Sequence, residues 1–212
     1  VAADQMLDSP TNNFCTMNPN DRDLDVTVSE GNLKAVAAGA QHDAIRGTFA
    51  NSTGKWYYEA KHSLPEANVY TGVATIESSE FPIAGSIHDE TYSWFHKAGG
   101  YTFHAGDQHN SGIAALVAGD IVQVAYDLDA NKIWFGVNNT WILSGNPSTA
   151  ANPVYTNLSG NLAPAMGIAL AENGVIFNFG QDSSFAGTDT AQGNQDSNDI
   201  GDFYYTPPTD FL

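Results

Sequence analysis

Apolar and polar residues alternate along this chain in short runs, and clusters of Gly, Pro, Asn and Asp divide the runs. A period of two is the mark of half-buried β-strands, whereas helical periodicity is hard to find anywhere. The segment "LDVTVSEGNLKAVA" (24–37) predicts a hairpin turning at Glu30-Gly31-Asn32, and "GKWYYEAKHS" (54–63) and "VYTGVATIE" (69–77) predict two strong strands. A second hairpin is expected over "YSWFHKAGGYTFHAG" (92–106), with Gly99-Gly100 at its turn. "IVQVAYDLD", "KIWFGVNN", "LAPAMGIAL" and "GVIFNFG" add further strands, so the fold class is all-β.

The alternation also assigns faces, because two antiparallel sheets packed together bury alternate residues of each strand. In "KWYYEA" the pair Trp56 and Tyr58 is expected to face the core and the pair Tyr57 and Glu59 the other side. Val122, Val124 and Tyr126 share one face, and Gln123, Ala125 and Asp127 the opposite one. Trp134 and Phe135 point opposite ways, which implies cover on both faces of their strand. From 181 to 202, "QDSSFAGTDTAQGNQDSNDIGD" has no period and little apolar content and reads as a long surface loop. Beyond it, "FYYTPP" (203–208) either packs across the sandwich or leads into more chain. The expected organisation is an N-terminal extension at 1–23, a β-sandwich at 24–180, and an acidic loop with an aromatic, Pro-containing tail at 181–212.

Composition narrows the partners. A chain of 212 residues with 42% hydrophobic content suits one large β-domain with a real core. Only 15% of residues are charged, so the surface relies on Asn, Ser, Thr, Gln and Gly. The 24 acidic against 7 basic residues, a formal charge of -17, argue against nucleic acid and against an anionic membrane, both of which need clustered Lys and Arg. Cys15 is the single cysteine, which leaves no intrachain disulfide and no thiolate metal site. No apolar run approaches the ~18 residues of a membrane helix, and no basic-then-apolar signal segment opens the chain. The start at Val1 suggests a mature product or, preferably, a piece of a longer chain.

Several motifs invite chemistry. "DLDANK" shares D-x-D-x-N with a calcium loop, yet its sixth position is Lys132 and its twelfth Asn138, where an EF-hand needs Gly and a bidentate Glu. Asp127 and Asp129 are therefore read as turn formers. "NDRDLD" alternates Asp21, Asp23 and Asp25 and reads as a solvated strand entry. The best place for an adventitious calcium is the acidic loop, with Asp182, Asp189, Asp196, Asp199 and Asp202. His88, His96, His104 and His109 fall close together but in no metal-binding spacing, so no metal and no cofactor are expected. There is no G-x-S-x-G elbow, and "AGSIHDE" (84–90) crowds Ser, His and Asp too closely for a relay. Cys15 has no activating neighbour and is read as an inert thiol. Glu59 stands alone in its strand and Glu77 and Glu80 flank a turn, so the carboxylate pair of a glycosidase is missing. The aromatics Tyr92, Trp94, Tyr101 and Trp141 lie beside expected loops and are the binding candidates, since sugars and peptides pack on Tyr and Trp.

In order, these segments resemble the SPRY domain, a bent antiparallel β-sandwich of concanavalin-like jelly-roll type. "GKWYYEA" is similar to its opening strand, "YTGVATIE" to the next strand with its central Gly, and "GDIVQVAYDLDANKIWFGVNN" (119–139) to its most diagnostic hairpin. "LAPAMGIAL" followed by Asn178-Phe179-Gly180 is similar to the closing strands, so the resemblance runs from 54 to 180. Two departures are the Asn138-Asn139 pair, where the family usually has Asn-Gly, and a charge more acidic than in intracellular adaptor versions. The flanks, "DSPTNNFCTMNPNDRDLDVTVSEGNL" and "IGDFYYTPPTDFL", resemble segments that bracket such domains in structural proteins of tailed bacteriophages, especially marine ones.

The resemblance implies a non-catalytic binding or structural module of a virion, in a tail fibre, appendage or capsid-surface protein. Its expected partners are other virion proteins or a host-surface protein or glycan within an oligomeric assembly, and its expected location is the virion or the extracellular space. The alternatives are a cellular carbohydrate- or protein-recognition module and a glycan-cleaving enzyme on a lectin-like sandwich.

Overall fold

The computed structural model describes residues 13–38, 43–63, 68–77, 87–89, 91–168 and 174–212. Among the described residues fourteen strands form two antiparallel sheets of seven. The first sheet runs β1 (Met17–Arg22), β4 (Asp43–Gly47), β13 (Leu162–Ile168), β6 (Val69–Thr75), β7 (Ser93–Lys97), β8 (Tyr101–His104) and β9 (Asp107–His109). The second runs β12 (Thr140–Trp141), β11 (Lys132–Val137), β10 (Ile121–Asp127), β5 (Lys55–His62), β14 (Gly174–Asn178), β3 (Lys34–Ala37) and β2 (Val26–Ser29). The expected strands and both expected hairpins are present, and the fold is the all-β sandwich that the alternation implies.

Turn chemistry explains the hairpins. Glu30, Gly31 and Asn32 all take positive φ, at 51, 65 and 65°, which reverses the chain between β2 and β3. In "DLDANK" the register closes at Asp127 opposite Lys132. There Asp127 Oδ1 accepts from the Ala130 amide at 2.9 Å, Asn131 takes φ 58°, and Asp129 Oδ1 accepts from the Gly54 amide at 3.1 Å. Both carboxylates thus hold backbone, one within its own turn and one to the strand beside it.

The main core lies between the sheets. Tyr58, Val122, Val124, Tyr126, Phe135 and Phe177 of the second sheet meet Ile45, Val73, Trp94 and Met166 of the first. Within the first sheet Gly72 lets β6 and β7 approach, since a Cβ there would sit 2.0 Å from the Trp94 carbonyl oxygen. Of the expected solvated entry Asp25 is exposed, but Asp21 and Asp23 are partly buried and bonded. Asp21 forms a two-pronged ion pair with Arg46, both contacts at 2.9 Å, and Asp23 accepts from the Ala44 amide at 2.7 Å. Burial lifts the Asp23 carboxyl to about 6, with Asp43 and Asp25 nearby adding to the shift.

The outer face of the second sheet differs from the expectation of one core face per strand. Tyr57 and Glu59 are as buried as Tyr58, and every residue of β10 is buried. The cover is the segment 181–212. It contains no regular strand, as a loop reading requires, yet Phe185, Phe203 and Phe211 are all buried against the sheet. Phe203 meets the Tyr57 ring edge-on at 5.3 Å, and Phe211 meets Trp134 at 6.2 Å. Leu212 extends the ladder beside β5, accepting from the Tyr57 amide at 2.7 Å and donating to the Lys55 carbonyl at 3.1 Å. "FYYTPP" therefore packs across the sandwich.

Glu59 fastens this strap. Its Oε1 accepts from Tyr57 Oη at 2.9 Å and the Tyr205 amide at 2.7 Å, and its Oε2 accepts from Asn178 Nδ2 at 3.0 Å and the Tyr204 amide at 2.8 Å. Four donors saturate a carboxylate that has no exposure to solvent. Burial lifts the group to about 7, against the downward pull of the two backbone amides, Tyr57 and Asn178.

Candidate binding surface

The four aromatics picked out in the sequence do not converge. Tyr92 is half exposed, at 50%, just ahead of β7. Trp94 is fully buried inside the sandwich, contrary to its expected place beside a loop, because it lies on the inward face of β7. Tyr101 is partly buried on the outer face of the first sheet, where it packs with Tyr70, Phe95 and Phe103. Lys97 Nζ lies over three of these rings, 5.4 Å from Tyr70, 5.1 Å from Phe103 and 6.0 Å from Tyr101. Trp141 belongs to the other sheet, partly buried beside Trp134, Phe203 and Phe211.

Trp94 nevertheless points to a surface. Its indole Nε1 donates to Asn157 Oδ1 at 3.0 Å, and Asn157 Nδ2 donates to His104 Nε2 at 2.9 Å. His104 Nδ1 in turn donates to the Ser93 carbonyl at 2.9 Å. This chain of bonds sets His104 as the neutral tautomer with its proton on Nδ1, and its ring stacks on the Trp94 indole at 4.9 Å and 11°.

The exposed end of that chain forms one wall of an open groove of about 510 Å³, lined by His104, His109, Asn110, Tyr155, Thr156 and Asn157 with Val154. His109 stands edge-on to the Tyr155 ring at 5.7 Å. Tyr155 Oη and Asn110 Nδ2 both donate to Thr102 Oγ1, at 2.9 and 3.0 Å. The segment carrying Tyr155 is docked onto β11 by the Val154 amide, which donates to the Ile133 carbonyl at 2.8 Å. The groove thus presents two imidazoles, a tyrosine ring, a hydroxyl and amides, most of them held by bonds from behind. Among the described residues its lining includes no carboxylate.

His104 and His109 are visible in the sequence as single histidines, whereas Tyr155 and Asn157 belong to no motif. Their signal was a Tyr set among Asn, Thr and Pro in "NPVYTNL", a stretch with no strand period. His96 and His62 lie elsewhere, buried between the sheets. His62 Nε2 meets Thr71 Oγ1 at 3.0 Å, while His62 Nδ1 and both ring nitrogens of His96 have no partner. Burial pushes them down to about 3 and about 4, so both are neutral at physiological pH. Cys15 is buried as well, and burial raises its thiol, as an inert sulfur requires.

In the acidic loop the carboxylates bind their own backbone and neighbours. Asp182 accepts from Ser184 and Ala186, Asp196 from Asn198 and Ile200, Asp202 from Ser183 and Gly193, and Asp189 pairs with Lys61. Among the described residues no group of three or more His, Cys, Asp or Glu side chains is placed to hold a metal ion. No helix among them is long and apolar enough to cross a membrane. Of "AGSIHDE", all but Ile87, His88 and Asp89 lies outside the described residues, as does Glu80.

The SPRY domain family model matches residues 55–182. The fold is similar to that of the SPRY domain of human HERC1, with a TM-score of 0.60 at 15% identity over 76% of this chain and 96% of that one. It is similar to the TRIM65 PSpry domain, with a TM-score of 0.58 at 14% identity over 77% of this chain and 91% of that one. Stonustoxin matches with a TM-score of 0.56 at 21% identity, over 77% of this chain and 26% of that one. No curated protein sequence matches the chain.

Proposed function

The chain belongs to the SPRY domain family, and from that premise we propose that it is a non-catalytic binding module of a bacteriophage virion. In this reading it sits in a tail fibre, appendage or capsid-surface protein, in the virion or the extracellular space, and contacts another virion protein or a host-surface protein or glycan. The observation that carries binding is the pre-set groove, in which Trp94 orients Asn157 and His104 from inside the core. Groups fixed before the partner arrives lose little freedom on binding. The virion placement is supported by the likeness of the flanking segments to those of phage structural proteins.

The test has two arms. Immunolabelling of purified particles with antibody to this chain is expected to decorate them, and unlabelled particles would sink the virion reading. For the groove, the chain is used to capture partners from disrupted particles and from host envelope fractions. Tyr155→Ala combined with Asn157→Ala is expected to weaken the captured interaction by at least ~10-fold, as for a central contact. Equal affinity of wild type and the double variant, with both melting alike, would remove the groove from the function. Release of sugar products from host polysaccharide would restore the enzymatic alternative.

A further inference from the structure

A second pocket, sharing no lining residue with the groove, opens where residues 13–15, the 49–51 loop, the start of β5 and the strap meet. Its volume is about 230 Å³, and Phe14, Phe49, Trp56 and Phe179 line it above the buried Tyr58 and Tyr126. Two of the chain's exposed large apolar residues, Phe49 at 38% and Leu212 at 41%, are on its wall. Trp56 is held in place by its Nε1, which donates to the Thr53 carbonyl at 2.8 Å.

Among the described residues one charged side chain lines this aromatic pocket, Asp196, and no Lys, Arg or His does. Asp196 Oδ1 accepts from the Asn198 amide at 2.7 Å and the Ile200 amide at 3.0 Å, which fixes the carboxylate on its loop. A fixed negative charge beside aromatic faces is complementary to a cation on an apolar stem. The stem buries against the rings, the ring quadrupoles attract the charge, and the carboxylate neutralises it. The same chemistry operates within the chain, where Lys97 Nζ lies over Tyr70, Tyr101 and Phe103. The formal charge of -17 draws basic partners towards the surface.

We propose that this pocket takes one lysine or arginine side chain presented by a partner polypeptide. The probes are N-acetyl-lysine methylamide and N-acetyl-arginine methylamide, with N-acetyl-norleucine methylamide as the neutral counterpart, each titrated into the ¹⁵N-labelled chain. The Trp56 indole N–H resonance is followed. Both cationic amides are expected to shift it, with affinity falling as salt is raised, and norleucine is expected to bind about fivefold more weakly or worse. Asp196→Asn keeps an oxygen for the loop amides, and Phe49→Ala removes a partly exposed ring; each is expected to weaken the lysine probe several-fold while the amide spectrum stays dispersed. Norleucine binding as tightly as lysine would overturn the proposal, and so would a Trp56 resonance unmoved by every probe or an Asp196→Asn variant that binds lysine normally.

Discussion

Replacing Glu59 with Gln separates a carboxylate that organises the strap from one that merely fills space. Above its folded value of about 7 the group is ionised, and each oxygen accepts one backbone amide and one side-chain donor. A glutamine at this position must aim its NH₂ at one of those backbone amides, Tyr204 or Tyr205, whichever way the side chain is turned. At least one buried donor is then orphaned and faces another donor, at a cost of about 1–3 kcal/mol for each group left without a partner. Glu59→Ala orphans all four donors, and water entering the void meets part of their demand, so a loss of about 3–5 kcal/mol is expected. The assay is urea unfolding at about pH 8.5, with hydrogen exchange at the Tyr204 and Tyr205 amides read alongside. Both variants are expected to lower the midpoint and to speed exchange of those two amides beyond what global unfolding explains. A Gln variant as stable as wild type, with the two amides equally protected, would refute the reasoning, because it would mean that a neutral side chain serves the site as well.

Further outcomes follow from the same structure. Glu59 has a folded value above its unfolded one, so its contribution is fully present below about 4.5 and is lost as pH rises through about 7; subtracting the pH–stability curve of Glu59→Gln from that of wild type is expected to expose this slope. His62 and His96 have depressed folded values, so they act in the opposite sense: their contribution is complete above 6.5 and is lost as pH falls through about 4 for His96 and about 3 for His62. His96→Leu, which removes two buried nitrogens without partners, is expected to leave stability at neutral pH unchanged or raised and to flatten the acid limb; a steeper acid limb in thermal melts would contradict this. Gly72→Ala is expected to abolish folding or cost more than about 3 kcal/mol, because its methyl would meet the Trp94 carbonyl oxygen at 2.0 Å and the Phe95 Cα at 2.9 Å; a variant that melts like wild type would show that the sheet adjusts. Phe211→Ala is expected to cost about 3–5 kcal/mol in chemical denaturation, as a fully buried ring against Trp134 should, and a loss under 1 kcal/mol, on the order of a surface change, would mean that the strap's end is not part of the cooperative core.

Much of the fold was legible because its signals are local. Period-two alternation located the strands, and positive-φ residues such as Asn32 and Asn131 marked the reversals. The opposed directions of Trp134 and Phe135 disclosed that β11 is covered twice, though not by what. Reading Tyr57 and Glu59 as the outward pair was right for direction, but burial is a property of the whole chain, and the outward face is closed by Phe203 and Phe211. The candidate surface was less legible. In the sequence Trp94 is an aromatic near a loop, whereas its contribution is made from the core through Asn157, a residue 63 positions away. Nothing in the local pattern of "NPVYTNL" says which strand that segment will lie against.

The sequence by itself determined the hairpins, the alternation of faces, the turn at "DLDANK" and the family, because each depends on residues a few positions apart or on their order. The tertiary structure decided what Glu59 binds, where the strap runs and which side chains share the groove. Glu59 meets Asn178 at a separation of 119 residues and Tyr204 at 145. Contacts of that span exist only once sheet pairing has placed β5 beside β14 and left an uncovered apolar face for the strap to close.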